Sequence, residues 1–576
     1  MIIKYSTSYH TSGNITSITI TPSTNYGWLR FNAVTTKPSG TNITFSILNA
    51  TDNSTLLSGL TGSNDDISSL STSASIRLFA NFTGSGSDTP LLDTWNITWF
   101  VGTCSCVNCS DCESQLNNNS CSVVQLTQDT TISSGTCIGV AFNNKTLDCL
   151  GHIVNGNNTA SYGIKLSNNS YNTIRNCKII NFTNSGIDSP SFIALGESRN
   201  NNTFFNLTLE NNNIGLNLYN APNSNISSIT ADGNSYGVYL ASSSIILEDS
   251  VLANNSKWDL FVKSCYNSAT VTNVTGTDNK PIVFYNSAVT IQNWNNNISE
   301  LVLCNADNSV VDNLTLSHPV WKNNGILLTY TSYTNLTNLT LNNLYEGLHL
   351  IASDNNNLKN IIIDNAKYGI RFSDISGLIG GPYTRYNSLE SITSNNSEYG
   401  IYLAASGSNT IKDLIVGNNS VYGVYISDDS NEINDSILSG NSQYDLLIEG
   451  TNNELNNVQF SNSYPTNISF SEYSGDFGIK GVTSPPADPA SYTNINKYVN
   501  ITNTSGAAWI SINISYTDSD VSGIDESTLK IWKHNASGWL EDGWNGTRVL
   551  DTSSNIVGVN ITDFSSVFAP LGLTGI

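Results

Sequence analysis

Basic residues are scarce in this chain: 23 Lys and Arg stand against 45 Asp and Glu, for a formal net charge of −22. That balance excludes nucleic acid as a partner, because phosphate binding needs a concentrated basic surface and none is visible. Acidic residues are also thin, since only 12% of all residues are charged. The surface is therefore built from Asn, Ser and Thr and not from a halophile's acidic shell. No stretch is long and apolar enough to span a membrane, and Met1-Ile-Ile-Lys-Tyr-Ser lacks the apolar core of a signal peptide. A mature or trimmed ectodomain is the expectation. One Met and five scattered His (His10, His152, His318, His349, His534) supply no soft-metal ligand set. No cofactor is expected, with calcium in the Asp428-Asp429-Ser430-Asn431 turn as the one open alternative.

What the chain has is a repeat. Tyr399–Leu403 reads Tyr-Gly-Ile-Tyr-Leu, and the same shape returns at 162–166, 214–218, 236–240, 258–262, 346–350, 368–372, 422–426 and 444–448. Anchored on the second residue (Gly215, Gly237, Asp259, Pro281, Gly325, Gly347, Gly369, Gly400, Gly423, Asp445), the copies step by about 22 residues where no insertion intervenes. The first and third residues after each anchor are apolar, as in Ile401 and Leu403. A second piece then reads Asn-x-apolar, as in Asn409-Thr-Ile-Lys-Asp-Leu-Ile-Val. Period-two alternation puts the apolar members inside, so each unit is one coil of short strands, and stacked coils make parallel sheets with Asn ladders at the turns. The fold class is all-β, a right-handed parallel β-helix over 130–482. A leucine-rich-repeat horseshoe has a similar unit length, but its Leu-x-x-Leu-x-Leu-x-x-Asn pattern is absent. Two anchor gaps are long, with their surplus at 189–200 and 375–386. Loops bulging from a solenoid commonly lie on its functional face, and mere tolerance of insertions explains them equally well.

Both flanks alternate at period two between turn signals and read as β-sandwiches, at 1–102 and 493–576, the second following a Pro-rich linker at 483–492. Between the first sandwich and the array lies a Cys-rich segment, 103–150, expected to form the cap and first coil. Cys104, Cys106, Cys109, Cys112, Cys121, Cys137 and Cys149, with Cys177 beyond, favour disulfides over a zinc site because the chain also carries roughly 30 Asn-x-Ser/Thr sequons. Connectivity is not deducible, though Cys149 and Cys177 could stack in neighbouring coils. The sequons taken as candidate glycosylation sites are Asn14, Asn42, Asn81, Asn144, Asn181, Asn206, Asn313, Asn335, Asn338, Asn395 and Asn513.

The array resembles the pectin-lyase-like β-helix superfamily, in particular the Asn-rich repeat proteins of archaeal cell surfaces. The N-terminal flank, through Thr89-Pro-Leu-Leu-Asp-Thr-Trp-Asn-Ile-Thr-Trp, is similar to accessory jelly-roll modules of extracellular proteins. The resemblance implies export and the fold. It implies no single activity, because the fold serves lyases, hydrolases, adhesins and structural proteins. The galacturonase-like set of Asn-Thr-Asp, Asp-Asp, Gly-His-Gly and Arg-Ile-Lys is not found in order, and resemblance to copper-handling β-helix proteins finds no ligands here.

The second residue after each anchor is expected to point outward, and that row reads Lys165, Asn217, Tyr239, Phe261, Leu327, His349, Arg371, Tyr402, Tyr425, Leu447. A lyase resembling pectate lyases would need a basic residue beside a uronate. His349, Arg371, Asp374 and Arg385, with Tyr383 in the insertion, are the candidates for such acid/base work. The same stacking arises on any solvated sheet face. Tyr239, Tyr402 and Tyr425, with His349 and Arg371, are the ligand-binding candidates, since flat aromatic faces suit sugar rings. The expected function is that of an extracellular surface protein with a structural, adhesive or glycan-binding role, its partners glycans, envelope components or copies of itself. The alternative is a polysaccharide lyase or glycoside hydrolase using the outward face.

Overall fold

The computed structural model describes residues 11–21, 27–71, 75–100, 102–118, 121–141, 143–167, 169–190, 201–219, 221–241, 244–265, 269–320, 322–374, 384–564 and 566–575. His10, Tyr383 and most of the two insertions expected at 189–200 and 375–386 lie outside the described residues. The chain divides into two compact units, one of residues 1–130, 140–152 and 172–175, the other of 131–139, 153–171 and 176–576.

The first unit opens with two antiparallel sheets. One orders Ser12–Thr16, Ile76–Thr83, Asn42–Asn49 and Thr55–Leu60; the other orders Asp65–Asp66, Gly27–Thr36 and Leu91–Phe100. Alternate residues such as Ile43, Phe45 and Ile47 turn inward onto Trp28 and Phe31, and these are almost fully buried. A helix follows at Cys109–Leu116, started by Asn108, whose side chain accepts a hydrogen bond from Asp111 N. The disulfide Cys106–Cys112 ties this helix to the strand Thr103–Cys106, and Cys104–Cys121 ties the same strand to the segment after the helix. That strand begins a parallel run through Val123–Leu126, Thr146–Asp148 and Thr173–Arg175. All ten cysteines of the chain are disulfide-bonded, including Cys109, Cys137, Cys149 and Cys177, which removes the thiolates a zinc site would need.

The second unit holds most of a β-solenoid of about 15 turns. Its registers match the anchors read from sequence: Ile401 pairs with Val424 and Leu403 with Ile426, all four fully buried, while Tyr402 pairs with Tyr425 on the outer side. One coil escaped the sequence reading. Glu300–Cys304 pairs between Ile282–Tyr285 and Gly325–Thr329, and it was missed because it has neither Gly nor Tyr at the expected places. It also supplies Cys304, bridged to Cys265 by a disulfide that was not among the cysteines singled out.

The anchors are glycines because neighbouring coils approach closely there. A Cβ on Gly237 would stand 2.6 Å from Asp259 O, and one on Gly423 would stand 2.5 Å from Asp445 O. Beside the anchors run buried Asn ladders. Asn212 N donates to Asn234 Oδ1 at 2.9 Å and Asn234 N to Asn255 Oδ1 at 3.0 Å. A second ladder runs from Asn419 N to Asn441 Oδ1 at 3.0 Å. Each stops at an aspartate standing where an anchor glycine would. Asp259 Oδ1 accepts from Asn255 Nδ2 and Asp445 Oδ1 from Asn441 Nδ2, both at 2.8 Å. A side chain is tolerated at these positions because no Gly-anchored strand follows in register. Trp258–Ser264 closes a six-stranded sheet, and Tyr444–Ile448 is followed by an antiparallel neighbour, Phe477–Gly481.

Strand pairing changes from parallel to antiparallel at Thr466–Phe470 and Phe477–Gly481, ahead of the proline-rich stretch at 483–492. The C-terminal strands extend the 14- and 15-stranded sheets of the solenoid, and one buried apolar cluster runs from Ile291 to Phe568. A bare last coil would leave a hydrophobic interior and a row of unpaired edge groups. These strands cover both, so the C-terminal strands share their core with the array.

Gly423→Ala is expected to cost about 1–3 kcal/mol by overpacking. Gly506→Ala, whose Cβ meets nothing within 4 Å, is expected to stay within about 0.5 kcal/mol of wild type. Denaturant midpoints of the two variants check the contrast.

Candidate functional site

Two rows of side chains leave the outer face of the sheet that carries the anchors. The row before the anchors includes Tyr368, Tyr399, Tyr422 and Tyr444, joined in register from coil to coil. The row two after the anchors includes His349, Arg371, Tyr402 and Tyr425. Parallel strands about 4.8 Å apart bring equivalent rings face to face. Tyr368 and Tyr399 stack with centroids 4.9 Å apart and planes 10° from parallel, and Tyr402 and Tyr425 stack at 4.6 Å. Tyr368 also meets Tyr402 edge-on at 5.3 Å, which locks the two rows together. All of these rings are half-buried, so each keeps part of a face toward solvent. Tyr425 OH donates to Glu449 Oε2 at 2.6 Å, and the rim carries Lys367 over the Tyr368 ring. The sequence reading found Tyr402 and Tyr425. It missed Tyr368, Tyr399, Tyr422 and Tyr444, although their recurrence one residue before each anchor was the signal.

The acid/base cluster proposed from sequence is built differently from expectation. His349 does not face solvent: its side chain is 3% exposed. Phe261 lies 6.0 Å away by ring centroids, and His349 Nε2 stands 2.8 Å from Ser373 Oγ. Burial lowers the pKa of the imidazole, so the ring is neutral near pH 7. Its Nδ1 lies 2.7 Å from Glu346 Oε2, in ion-pair range but without the alignment of a hydrogen bond. Glu346 is fully buried and also accepts from Arg371 Nη1 at 2.7 Å and from Trp258 Nε1 at 3.1 Å. Burial alone would raise the Glu346 carboxyl; the His349 ring, once protonated in acid, and the Arg371 guanidinium outweigh it and hold the pKa down at about 2. With His349 neutral, Arg371 is the standing counter-charge, and it also lies over the Tyr368 ring at 5.0 Å. Arg371 Nη1 is thus engaged by Glu346, and a buried imidazole has no open path to a substrate. Arg385 sits at another carboxylate, its N donating to Asp354 Oδ1 at 2.7 Å, and Asp374 is half-buried. Glu346, which the sequence reading did not single out, is the hub.

Tyr239 lies at the other end of this surface, 5.2 Å from Phe261 by ring centroids and beside a groove of the N-terminal coils. The possible calcium turn is used by the chain itself: Asp429 Oδ1 accepts from Thr451 N and Thr451 Oγ1, and Asn431 is a member of a buried ladder. Among the described residues, no group of three or more His, Cys, Asp or Glu is gathered to hold a metal ion.

Several sequon asparagines also have structural duties. Asn181, Asn206, Asn313 and Asn338 all take positive φ, a conformation in which Asn is favoured, the first two between strands and the last two within Val310–Ser317 and Asn335–Asn342. Each side-chain amide donates to the preceding coil: to Asn155, Asn176, Asn293 and Asp312 respectively. Asn335 accepts from Asn357, and Asn395 accepts from Gly417 N. Asn14 and Asn81 pair across strands of the first sandwich, and Asn42 Oδ1 accepts from Ile43 N. Asn144 takes positive φ at a turn, and Asn513 lies on Trp509–Ser515 near the C-terminal end. The density of sequons in the array therefore has a source in backbone geometry, independent of sugar attachment.

The sequence profile of the right handed beta helix region matches residues 139–300 and 300–470. No curated protein sequence matches the chain. Among solved structures, it is similar to the catalytic domain of a GH87 alpha-1,3-glucanase in complex with tetrasaccharides, at 15% identity over 69% of this chain and 90% of that one, with a TM-score of 0.27. It is also similar to the A-module of a mannuronan C-5 epimerase from Azotobacter vinelandii, at 15% identity over 57% of this chain and 78% of that one, TM-score 0.24. A Dettilon tailspike protein gives 11% identity over 81% and 90%, TM-score 0.21. Likeness at this level carries no chemistry over to the present chain.

The Glu346 charge has a measurable signature. Its folded pKa of about 2 lies below the ordinary 4.5, so its contribution to stability is complete above pH 4.5 and is lost as pH falls toward 2. Glu346→Gln strands the Arg371 charge and is expected to cost about 3–5 kcal/mol near neutral pH. The variant should also lose less stability than wild type on acidification from about pH 6 to pH 2. Denaturant titrations across that range measure both effects.

Proposed function

The chain belongs to the right-handed β-helix family, and we propose that it is an extracellular surface protein whose tyrosine-lined outer face holds a glycan chain without turning it over. The observation that carries this reading is the double row of packed tyrosines: Tyr368 stacks on Tyr399, Tyr422 on Tyr444 and Tyr402 on Tyr425, while Tyr399 meets Tyr422 edge-on. Half-exposed rings repeating at the coil rise offer successive flat apolar faces, and the polar rim of Lys367 and Glu449 can serve hydroxyl groups. Aromatic platforms of this kind hold a sugar at little entropic cost, because stacking has already fixed the rings. Acid/base work on the same face is disfavoured by the fate of its charges, since His349 is buried and Arg371 is bound to Glu346.

An extracellular setting is supported by the disulfide bonding of all ten cysteines. It accords with the archaeal cell-surface proteins that the repeat resembles. No helix among the described residues is long and apolar enough to cross a membrane.

A glycan array probed with wild type and with the double variant Tyr399→Ala, Tyr422→Ala tests the reading. The wild type is expected to retain a polysaccharide that the variant binds about tenfold more weakly, equivalent to ~1.4 kcal/mol. Equal binding by the two proteins would remove the tyrosine face from the function. New reducing ends or unsaturated products released by the wild type would replace a holding role with an enzymatic one.

A further inference from the structure

A second built site lies on the N-terminal coils, where an open groove of about 620 Å³ is bounded by polar and aromatic groups. Lys165, Asp188, Asn217 and Tyr239 occupy one row in register on successive strands. Asp188 is the centre of it. Its side chain is only 7% exposed, Asn217 Nδ2 donates to its Oδ1 at 2.8 Å, and Lys165 Nζ stands 3.7 Å from its Oδ2. The last distance is an ion pair too long for a hydrogen bond, so both the ammonium and Oδ2 keep capacity for a third polar group between them. The ammonium is fixed from its other side by the Tyr162 ring at 4.4 Å. Asn217 Oδ1 is buried with no hydrogen-bond partner, an acceptor left without a donor beside the groove. Tyr219, 45% exposed, and Tyr239 supply aromatic surface on the same lining.

From this arrangement we infer that the groove is a second saccharide site, distinct from the tyrosine rows, that takes a neutral pyranose ring. A hydroxyl group fits the space between Lys165 and Asp188, since it can accept from the ammonium and donate to the carboxylate at once. A further hydroxyl satisfies Asn217 Oδ1, and the ring's apolar face lies on Tyr219 or Tyr239. A uronate is disfavoured, because Lys165 is the one basic residue among the described residues of the lining, is already matched by Asp188, and belongs to a chain of net charge −22. Among the described residues of the lining Asp188 is the one acidic residue, short of the carboxylate pair that glycoside hydrolysis uses. Binding is the role that this lining supports.

Isothermal titration with cellotetraose, maltotetraose and N-acetylchitotetraose, and with tetragalacturonate as the acidic probe, tests the inference. At least one neutral tetrasaccharide is expected to bind the wild type. Asp188→Asn and Tyr219→Ala are each expected to weaken it about tenfold, while Tyr333→Ala, at an exposed side chain outside both the groove lining and the tyrosine rows, leaves it unchanged. Tyr219→Ala removes an exposed side chain, so the test survives if Asp188→Asn unfolds. Binding of tetragalacturonate alone, of no probe, or of a neutral probe with undiminished strength in both groove variants would overturn the site. Loss confined to Tyr402→Ala, measured alongside, would overturn the groove and leave the tyrosine face standing. Loss confined to the groove variants supports the groove whatever becomes of the face.

Discussion

Every coil of this solenoid depends on the next one for its buried hydrogen bonds. An asparagine amide in a turn is satisfied by the Oδ1 of the asparagine one coil on, as from Asn387 N to Asn409 Oδ1 at 2.9 Å and from Asn409 N to Asn431 Oδ1 at 3.2 Å. A buried amide left alone costs about 1–3 kcal/mol, so a free end must be closed by a group that accepts without passing the requirement on. Asp259 and Asp445 do this with a carboxylate, and Tyr473 does it with a hydroxyl that meets Asn453 N at 3.0 Å. The same close approach that makes the ladder favours glycine at the anchors, and it is relaxed at Asp259 and Asp445, where a ladder stops. Anchor and terminator are two consequences of one spacing.

The coil spacing also organises the outer face. Side chains in one row are held about 4.8 Å apart whatever they are, which suits aromatic rings and penalises like charges. Where the row carries tyrosine, the result is a stacked platform. Where it carries charge, the groups are neutralised in place: Glu346 is enclosed by Arg371, His349 and Trp258, and Glu300 is enclosed with a single donor, Leu260 N. Burial, reinforced by the nearby Asp259 carboxylate, raises the Glu300 carboxyl well above its usual range. Charge in the middle of this surface serves packing, and the surface left open to a ligand is aromatic and amide-rich.

The sequence by itself determined the coil, its length and its inside. The period, the paired apolar residues after each anchor and the outward place of Tyr402 are local properties, since alternation at period two assigns each side chain to a face before any partner is known. The disulfide setting of the Cys-rich segment was legible for the same reason, from composition and spacing alone. Tertiary structure decided what covers what. His349 and Arg371 are neighbours in sequence register, but the burial of one and the capture of the other come from Glu346 and from Trp258, which is 88 residues away from Glu346 along the chain. The Glu300–Cys304 coil, the C-terminal strands that share the array's core and the groove at Asp188 depend likewise on contacts between distant segments. A repeat pattern states which face a residue occupies; only the packed chain decides whether that face meets water, protein or a ligand.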